Sequence, residues 1–365
     1  MIGRRILRLL LLVLLLALVV VAYLSYRLEH PAGRENADEV TVVFETGTPT
    51  SQIFRRLEKE GVVEDARLVE IYYRVHRRAT LLQAGEYRFT RPMAIDDVIN
   101  RMGRGDVVKH VIVVPEGLTA EETFELFWKR GIGGPEAFRA AMRSTELLPG
   151  VTTGTSDLEG FLFPETYVVT RSTSAGQIVD QMVAQFRKNF SPEMRDQAQE
   201  LGMTVRQAVT LASIVEKESG LPQEGRLIAG VYVNRLRHGM RLQADPTIVY
   251  AMKQDGNWRG VLYRSDYAYE SPYNTYLHAG LPPGPICNPG RNALRAAVTP
   301  ARTDYLYFVA DQNGQHTFSR TYEEHRDAIG AARRARGEPA PDSSPVPPVP
   351  PAPAPAGEPA PVSAN

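Results

Sequence analysis

Hydrophobic spacing divides the chain into three stretches of different character. From Leu9 to Tyr26, 18 uncharged and mostly apolar residues follow Arg4, Arg5 and Arg8, about the length that crosses a hydrocarbon layer of roughly 30 Å. Between residues 40 and 114 short runs alternate. Thr41 to Phe44, Gly85 to Phe89 and Val107 to Val114 read as strands. Thr50 to Gly61, a segment after Asp65 with Leu68, Ile71, Tyr72 and Val75, and Met93 to Met102 repeat at helical spacing. Asp65 is placed to cap its helix. Beyond Pro115 the pattern predicts helices at Thr119 to Lys129, Pro135 to Met142, Ser174 to Phe190, Pro192 to Leu201, Val205 to Gly220 and Arg226 to Arg237. A hairpin of Tyr305 to Ala310 and His316 to Phe318 then turns at Asp311 to Gly314. The fold class is α+β. Its expected parts are a head of residues 1–8, a membrane helix 9–26, a linker 27–39, a small α+β domain 40–114, a mixed α+β domain 115–337 and a Pro/Ala-rich, disordered tail 338–365.

The helix Val205 to Gly220, VRQAVTLASIVEKESG, organises the second domain. At 100° per residue Arg206, Thr210, Ser213 and Lys217 form one narrow polar stripe, and most other positions are apolar. Such a helix is largely buried, with the stripe as its wet strip. Two carboxylates near its end fall off that strip. Glu216 shares a side with Val205, Val209 and Ala212, and Glu218 with Gln207, Leu211 and Ile214. A carboxylate among apolar neighbours has its charged form disfavoured and holds a proton toward neutral pH, as a general acid must. The negative end of a helix acts in the same direction. Two positions apart, the pair cannot converge on one atom, so one of them works alone. A structural ion pair with an arginine is the other reading. Gly220 is placed as the left-handed residue after the helix, with Pro222 beyond.

With 42 basic and 42 acidic side chains the net charge points to no nucleic-acid partner. One cysteine, Cys287, allows neither a disulfide framework nor a thiolate zinc site, and the seven histidines have no ligand spacing, so no metal and no cofactor is expected. GxSxG, SxxK, HExxH and GxxxxGK[ST] do not occur. The arginines ahead of the apolar run hold the head in the cytoplasm and send the rest outside. A cleaved signal peptide is the rival, with Val20-Val21-Ala22 as its cleavage site.

Three clusters carry candidate chemistry. Leu158 to Tyr167, LEGFLFPETY, mixes aromatics with Glu159 and Glu165. Arg241 to Tyr250, RLQADPTIVY, sets Gln243 and Asp245 before a proline that biases Asp245 to an extended backbone. Ser271 to Gly290, SPYNTYLHAGLPPGPICNPG, is a rigid loop offering Tyr273, Asn274, Tyr276 and Asn288. Aromatic faces and amides suit a sugar ring, which stacks on one side and hydrogen-bonds at its rim. Inward-packing tyrosines in a long turn would look the same.

LASIVEKES, NRLRHGMRLQADPTIVY, PYNTYLHAGLPPGPICNPG and YLYFVAD, in this order, resemble the endolytic murein transglycosylases of the YceG-like family. LEGFLFPETY resembles the same family's aromatic-acidic segment, and the likeness spans roughly residues 40 to 330. Residues 40–114 are similar to a LysM-like module, although a plain spacer would show the same β-α-α-β pattern. The resemblance implies a single-pass inner-membrane enzyme, its bulk periplasmic, that cuts the β-1,4 bond between N-acetylmuramic acid and N-acetylglucosamine of nascent peptidoglycan without water. The product is a 1,6-anhydro end, and the cut terminates strand elongation. The family's acid is the second Glu of EKE[ST], which falls on Glu218. Glu216 becomes its structural or orienting partner; Gln243, Asp245, Tyr273, Asn274, Tyr276 and Asn288 are candidates for sugar contact or support, and Asn234 and Arg235 for support behind them. Penicillin-binding proteins are the implied partners. A non-catalytic glycan-binding scaffold for wall synthases and a water-using muramidase are the competing functions.

Overall fold

The computed structural model describes residues 2–30, 38–77, 79–148, 151 and 157–336. The Pro/Ala tail and most of the expected linker lie outside them. The described part is a mixed α+β chain. Its first element is one apolar helix, α1 (Ile2–Glu29), in which Ile6–Arg27 is long and apolar enough to cross a membrane, with a mean hydropathy of 3.0.

The chain divides into two compact units, and both are discontinuous. One contains the chain up to Ile112 together with Phe127–Gly134 and Thr166–Ile178; the other contains Val113–Leu126, Pro135–Glu165 and the chain from Val179. The chain crosses between the two units several times. The first unit holds β1 (Asp38–Phe44), α2 (Thr50–Lys59), α3 (Ala66–Tyr72), β2 (Gly85–Arg91) and α4 (Ile95–Arg104). β1 and β2 pair antiparallel, Val42 opposite Tyr87 and Phe44 opposite Gly85. Their inner side chains close on Ile53, Phe54, Leu57, Val98 and Met102 in one apolar core. As expected, Asp65 caps α3 by accepting from the backbone N–H groups of Arg67 and Leu68.

The third strand, β3 (His110–Val113), is shorter than the eight residues Val107 to Val114 expected for it. Its partner is β4 (Thr166–Val169), the end of the aromatic-acidic segment. Four residues are too few for an alternating pattern to declare a strand, so nothing in the sequence announced β4. α5 (Ala120–Trp128) and α6 (Pro135–Ala141) lie between these strands in sequence, and α7 (Ala175–Asn189) and α8 (Pro192–Glu200) follow them.

The remaining elements are α9 (Val205–Glu218), α10 (Gly225–Arg237), α11 (Asp245–Gln254), α12 (Arg291–Val298), the hairpin β5 (Tyr307–Ala310) with β6 (His316–Ser319), and α13 (Tyr322–Ala335). α9 packs against α8, α10, α11 and α12. It opens on a capping box: Thr204 Oγ1 accepts from the Gln207 N–H while Gln207 Oε1 accepts from the Thr204 N–H, an arrangement whose cap alone contributes about 1 kcal/mol.

Two local expectations fail. Gly220 is not among the left-handed residues; Ser219 turns extended instead (φ −82°, ψ 101°), its hydroxyl donating to the Leu221 carbonyl. Asp245, placed in an extended segment by the proline after it, opens α11. The first-turn N–H groups of a helix have no intrahelical partner, so Pro246 gives up nothing there and the helix can begin one residue before it.

Candidate active site

The polar stripe of α9 is wet only toward its ends, at Arg206 and Lys217. Thr210 and Ser213 are buried, and the Gly/Pro loop lies along them. Arg206 donates through Nη2 to the Pro283 carbonyl (2.7 Å), Ser213 Oγ accepts from the Ile286 N–H (3.0 Å), and Cys287 Sγ donates to the Ser213 carbonyl (3.3 Å). Lys217 Nζ reaches the Gly117 carbonyl at 3.2 Å, and Glu216 Oε2 accepts from the Gly290 N–H at 3.0 Å. Polar positions on this helix satisfy the backbone of a loop that has too little secondary structure to satisfy itself. The aromatic-acidic segment closes in from another direction. Gly160 adopts φ +86°, and a Cβ there would come within 2.3 Å of Pro285, so only glycine allows this approach.

Glu218 ends α9 half-buried. Its Oε1 accepts a hydrogen bond from the hydroxyl of Tyr232 on α10 at 3.0 Å. Burial pushes its carboxyl up to about 7; the negative charge of Asp245 adds to the shift, and the Tyr232 hydrogen bond and the Arg235 charge oppose it. Arg235 is buried, and burial lowers its own pKa. Its Nε donates to the Leu306 carbonyl (2.7 Å) and its Nη1 to that of Leu242 (2.6 Å), with the guanidinium 5.2 Å from the Tyr307 ring centre. The cation is thus spent on backbone and ring, and among the described residues no ion pair forms with Glu218.

Asp245, exposed at the start of α11, is held by two phenols: Tyr276 donates to Oδ1 at 2.6 Å and Tyr267 to Oδ2 at 3.2 Å. The two rings meet edge to face, 4.7 Å between centres. Burial, followed by the Asp245 charge, pushes the Tyr267 hydroxyl up to about 12 and that of Tyr276 further up, so both stay as donors.

Glu218 and Asp245 together line two clefts. One, about 280 Å³, is walled by Tyr232, Arg235, Gln243, Tyr276, Phe308 and His316 among others. The second, about 270 Å³, runs past Lys217, Pro246, Val249, Tyr250, Lys253 and Ile286. The two acids therefore sit at the junction, with room for a chain-like ligand to continue on either side.

Five of the sequence candidates, Glu218, Arg235, Gln243, Asp245 and Tyr276, come together here. Gln243 is the only non-glycine residue with a left-handed backbone (φ 51°) among the described residues, its N–H bonded to the Thr275 carbonyl. The others hold the walls. Asn274 is fully buried, donating to the carbonyls of Tyr267 and Tyr269 while its Oδ1 accepts from the Tyr276 N–H. Asn288, also fully buried, accepts from the Leu162 N–H and donates to the Leu118 carbonyl. Asn234 donates to the carbonyls of Thr303 and Tyr305, and Tyr273 packs its ring 4.9 Å from that of Tyr250. Glu216, raised by burial, is bonded to the loop.

Sequence reasoning missed Tyr232, Tyr267, Phe308 and His316. Tyr232 is the one hydroxyl in the apolar run GVYV, which could have marked it. His316 is tied to buried Glu224, Nδ1 to Oε2 at 2.6 Å. Among the described residues no group of three or more His, Cys, Asp or Glu is arranged to hold a metal ion.

A half-buried carboxyl raised toward neutral pH thus lies where a polar cleft and a mainly apolar one meet. The sequence model described as the YceG-like family matches residues 42–331, and the chain belongs to that family. It is 32% identical over 321 residues to an endolytic murein transglycosylase of Bacillus subtilis, covering 82% of this chain and 87% of that protein. It is 31% identical over 327 residues to one of Streptococcus pneumoniae, covering 81% of this chain and 58% of that longer protein. Its fold is similar to the crystal structure of a YceG-like protein from Listeria monocytogenes, with 33% identity and a TM-score of 0.50 over 80% of this chain and 99% of that one.

Proposed function

We propose that the chain is an endolytic lytic transglycosylase of peptidoglycan, with Glu218 as its only acid-base group. The observation that carries this reading is a carboxyl that keeps its proton up to about pH 7 at the junction of two clefts. With the bond between N-acetylmuramic acid and N-acetylglucosamine laid across that junction, Glu218 gives its proton to the bridging oxygen as the bond to C1 breaks. The carboxylate left behind then takes the proton of the muramic acid's own C6 hydroxyl, whose oxygen bonds to C1. The products are a 1,6-anhydro end and a new N-acetylglucosamine hydroxyl, no water is consumed, and Glu218 is again protonated. Asp245, fixed by Tyr267 and Tyr276, steadies the positive charge that develops near C1.

Three arginines ahead of the apolar run that starts at Leu9 support a head in the cytoplasm and a folded bulk in the periplasm, anchored in the inner membrane. From there the enzyme reaches nascent strands, ends their elongation and meets penicillin-binding proteins. Residues 40–114 serve as a LysM-like module and residues 115–337 as the catalytic domain.

Digestion of glycan strands followed by mass spectrometry of the ends tests the reaction. Anhydro ends from the wild type, and none from Glu218→Gln, are the expected result. The closeness of Asp245 favours one second reading, a muramidase that uses one carboxylate as acid and the other to activate water or form a glycosyl intermediate; reducing ends would establish it. A scaffold needs Glu218 for stability alone, so a Glu218→Gln variant that melts like the wild type and still cuts strands would remove Glu218 from the chemistry.

A further inference from the structure

A third cleft, of about 460 Å³, is unused by this mechanism, and Tyr250 is the wall it shares with the cleft beside Glu218 and Asp245. Its volume falls within the roughly 300–1,000 Å³ of sites that enclose a drug-sized molecule. Phe124 and Met142 give it apolar walls. Half of its lining is charged, Arg139 and Arg143 against Glu121, Asp157 and Glu159, which a bare glycan of hydroxyls and N-acetyl groups does not require. Arg139 is committed to Glu121 and Glu136 by ion pairs of 3.1 and 2.7 Å. Arg143, exposed on the cleft rim after α6, has no ion pair or side-chain hydrogen bond among the described residues. Buried Glu159 lies in the lining, its two oxygens 3.0 and 3.2 Å from the Ala120 N–H that donates to them.

We propose that this cleft binds the peptide stem of the strand being cut, with Arg143 pairing with a stem carboxylate. The inference rests on the transglycosylase reading and deepens it, because a murein strand carries a charged peptide on its muramic acid units and this cleft adjoins the one where the sugars lie. The remaining chemistry agrees. Burial pushes the Glu159 carboxyl up to about 8, so near neutral pH it adds little negative charge against an incoming carboxylate. A guanidinium suits the task because its planar fork meets a carboxylate with two parallel hydrogen bonds.

The test compares stem-bearing strands with strands of the same length stripped of peptide by an amidase, using the full chain in detergent. The wild type is expected to show a higher kcat/KM on stem-bearing strands. Arg143→Glu should reduce that preference about tenfold, the size of one charge-assisted contact, through KM more than kcat, and Arg143→Lys should keep part of it. A preference identical in wild type and Arg143→Glu, or a wild type with none, overturns the proposal. A wild type that cuts neither substrate overturns the transglycosylase reading, and binding then decides the stem site. Stem-bearing strands should bind Glu218→Gln more tightly than Glu218→Gln/Arg143→Glu, while stripped strands should bind both alike; equal affinities for stem-bearing strands would refute the site.

Discussion

Glu159 and Glu218 are two carboxyls with the same perturbation and different surroundings. Burial lifts both close to neutral, to about 8 and about 7. Glu159 receives the first N–H of α5, the positive end of a helix, which favours charge, yet burial outweighs it. Glu218 ends α9, where the helix opposes charge, and its partner is a phenol on another helix. A raised pKa therefore does not by itself locate a catalytic acid. Position separates the two, since Glu218 stands with Asp245 where two clefts meet and Glu159 lines a third.

Amide substitution is the strongest way to break that comparison. Glu218→Gln should lower the rate of anhydro-end formation by about 10² to 10⁴, the range of general acid-base catalysis. Glu159→Gln removes no proton from the chemistry and should cost less than tenfold. Steady-state digestion of one strand preparation checks both, and equal losses would make the site much larger than two clefts around Glu218.

The next effect is on the pH profile. In the proposed mechanism the acid form of Glu218 is the active one, so kcat/KM should fall as pH rises through about 7. Tyr232 and Asp245 pull that limb in opposite directions. Tyr232→Phe removes a hydrogen bond that favours the charged form, so the limb should move up, by less than about one pH unit for a bond worth roughly 1 kcal/mol. Asp245→Asn removes a negative charge that disfavours it, so the limb should move down. Shifts of the same sign in both variants would mean that the limb belongs to another group.

The same contrast explains what could be read from the chain alone. Helical geometry marked Glu216 and Glu218 alike as carboxylates among apolar neighbours, and only the resemblance of EKES to the family motif singled out Glu218. Its pKa was legible only in direction, because Tyr232 and Arg235 lie 14 and 17 residues further on, in another helix, and the loop after them brings Asp245 back. The middle of the polar stripe of α9, Thr210 and Ser213, was misread as solvated: spacing identifies a polar face, and whether water or a loop backbone covers it is decided by residues 283–290. β4 and α11 escaped for local reasons, one being four residues long and the other opening next to a proline.

The smallest expected effect is on stability, and it has the same sign for both carboxyls. A carboxyl whose folded pKa is raised contributes its full stability below the unfolded value, near 4.3. That contribution declines as pH climbs and is lost past the folded value, because between the two the native state binds more protons than the unfolded chain. The window ends near pH 7 for Glu218 and near pH 8 for Glu159. Each glutamine variant should therefore lose less Tm than the wild type as pH rises from 5 to its limit. The flattening should be greater for Glu159→Gln, at a buried residue whose carboxyl is raised further, than for Glu218→Gln, at a half-buried one. Melting curves in matched buffers from pH 5 to 9 measure both, and a variant whose Tm falls as steeply as the wild type's would show that its carboxyl ionises in the native state without penalty.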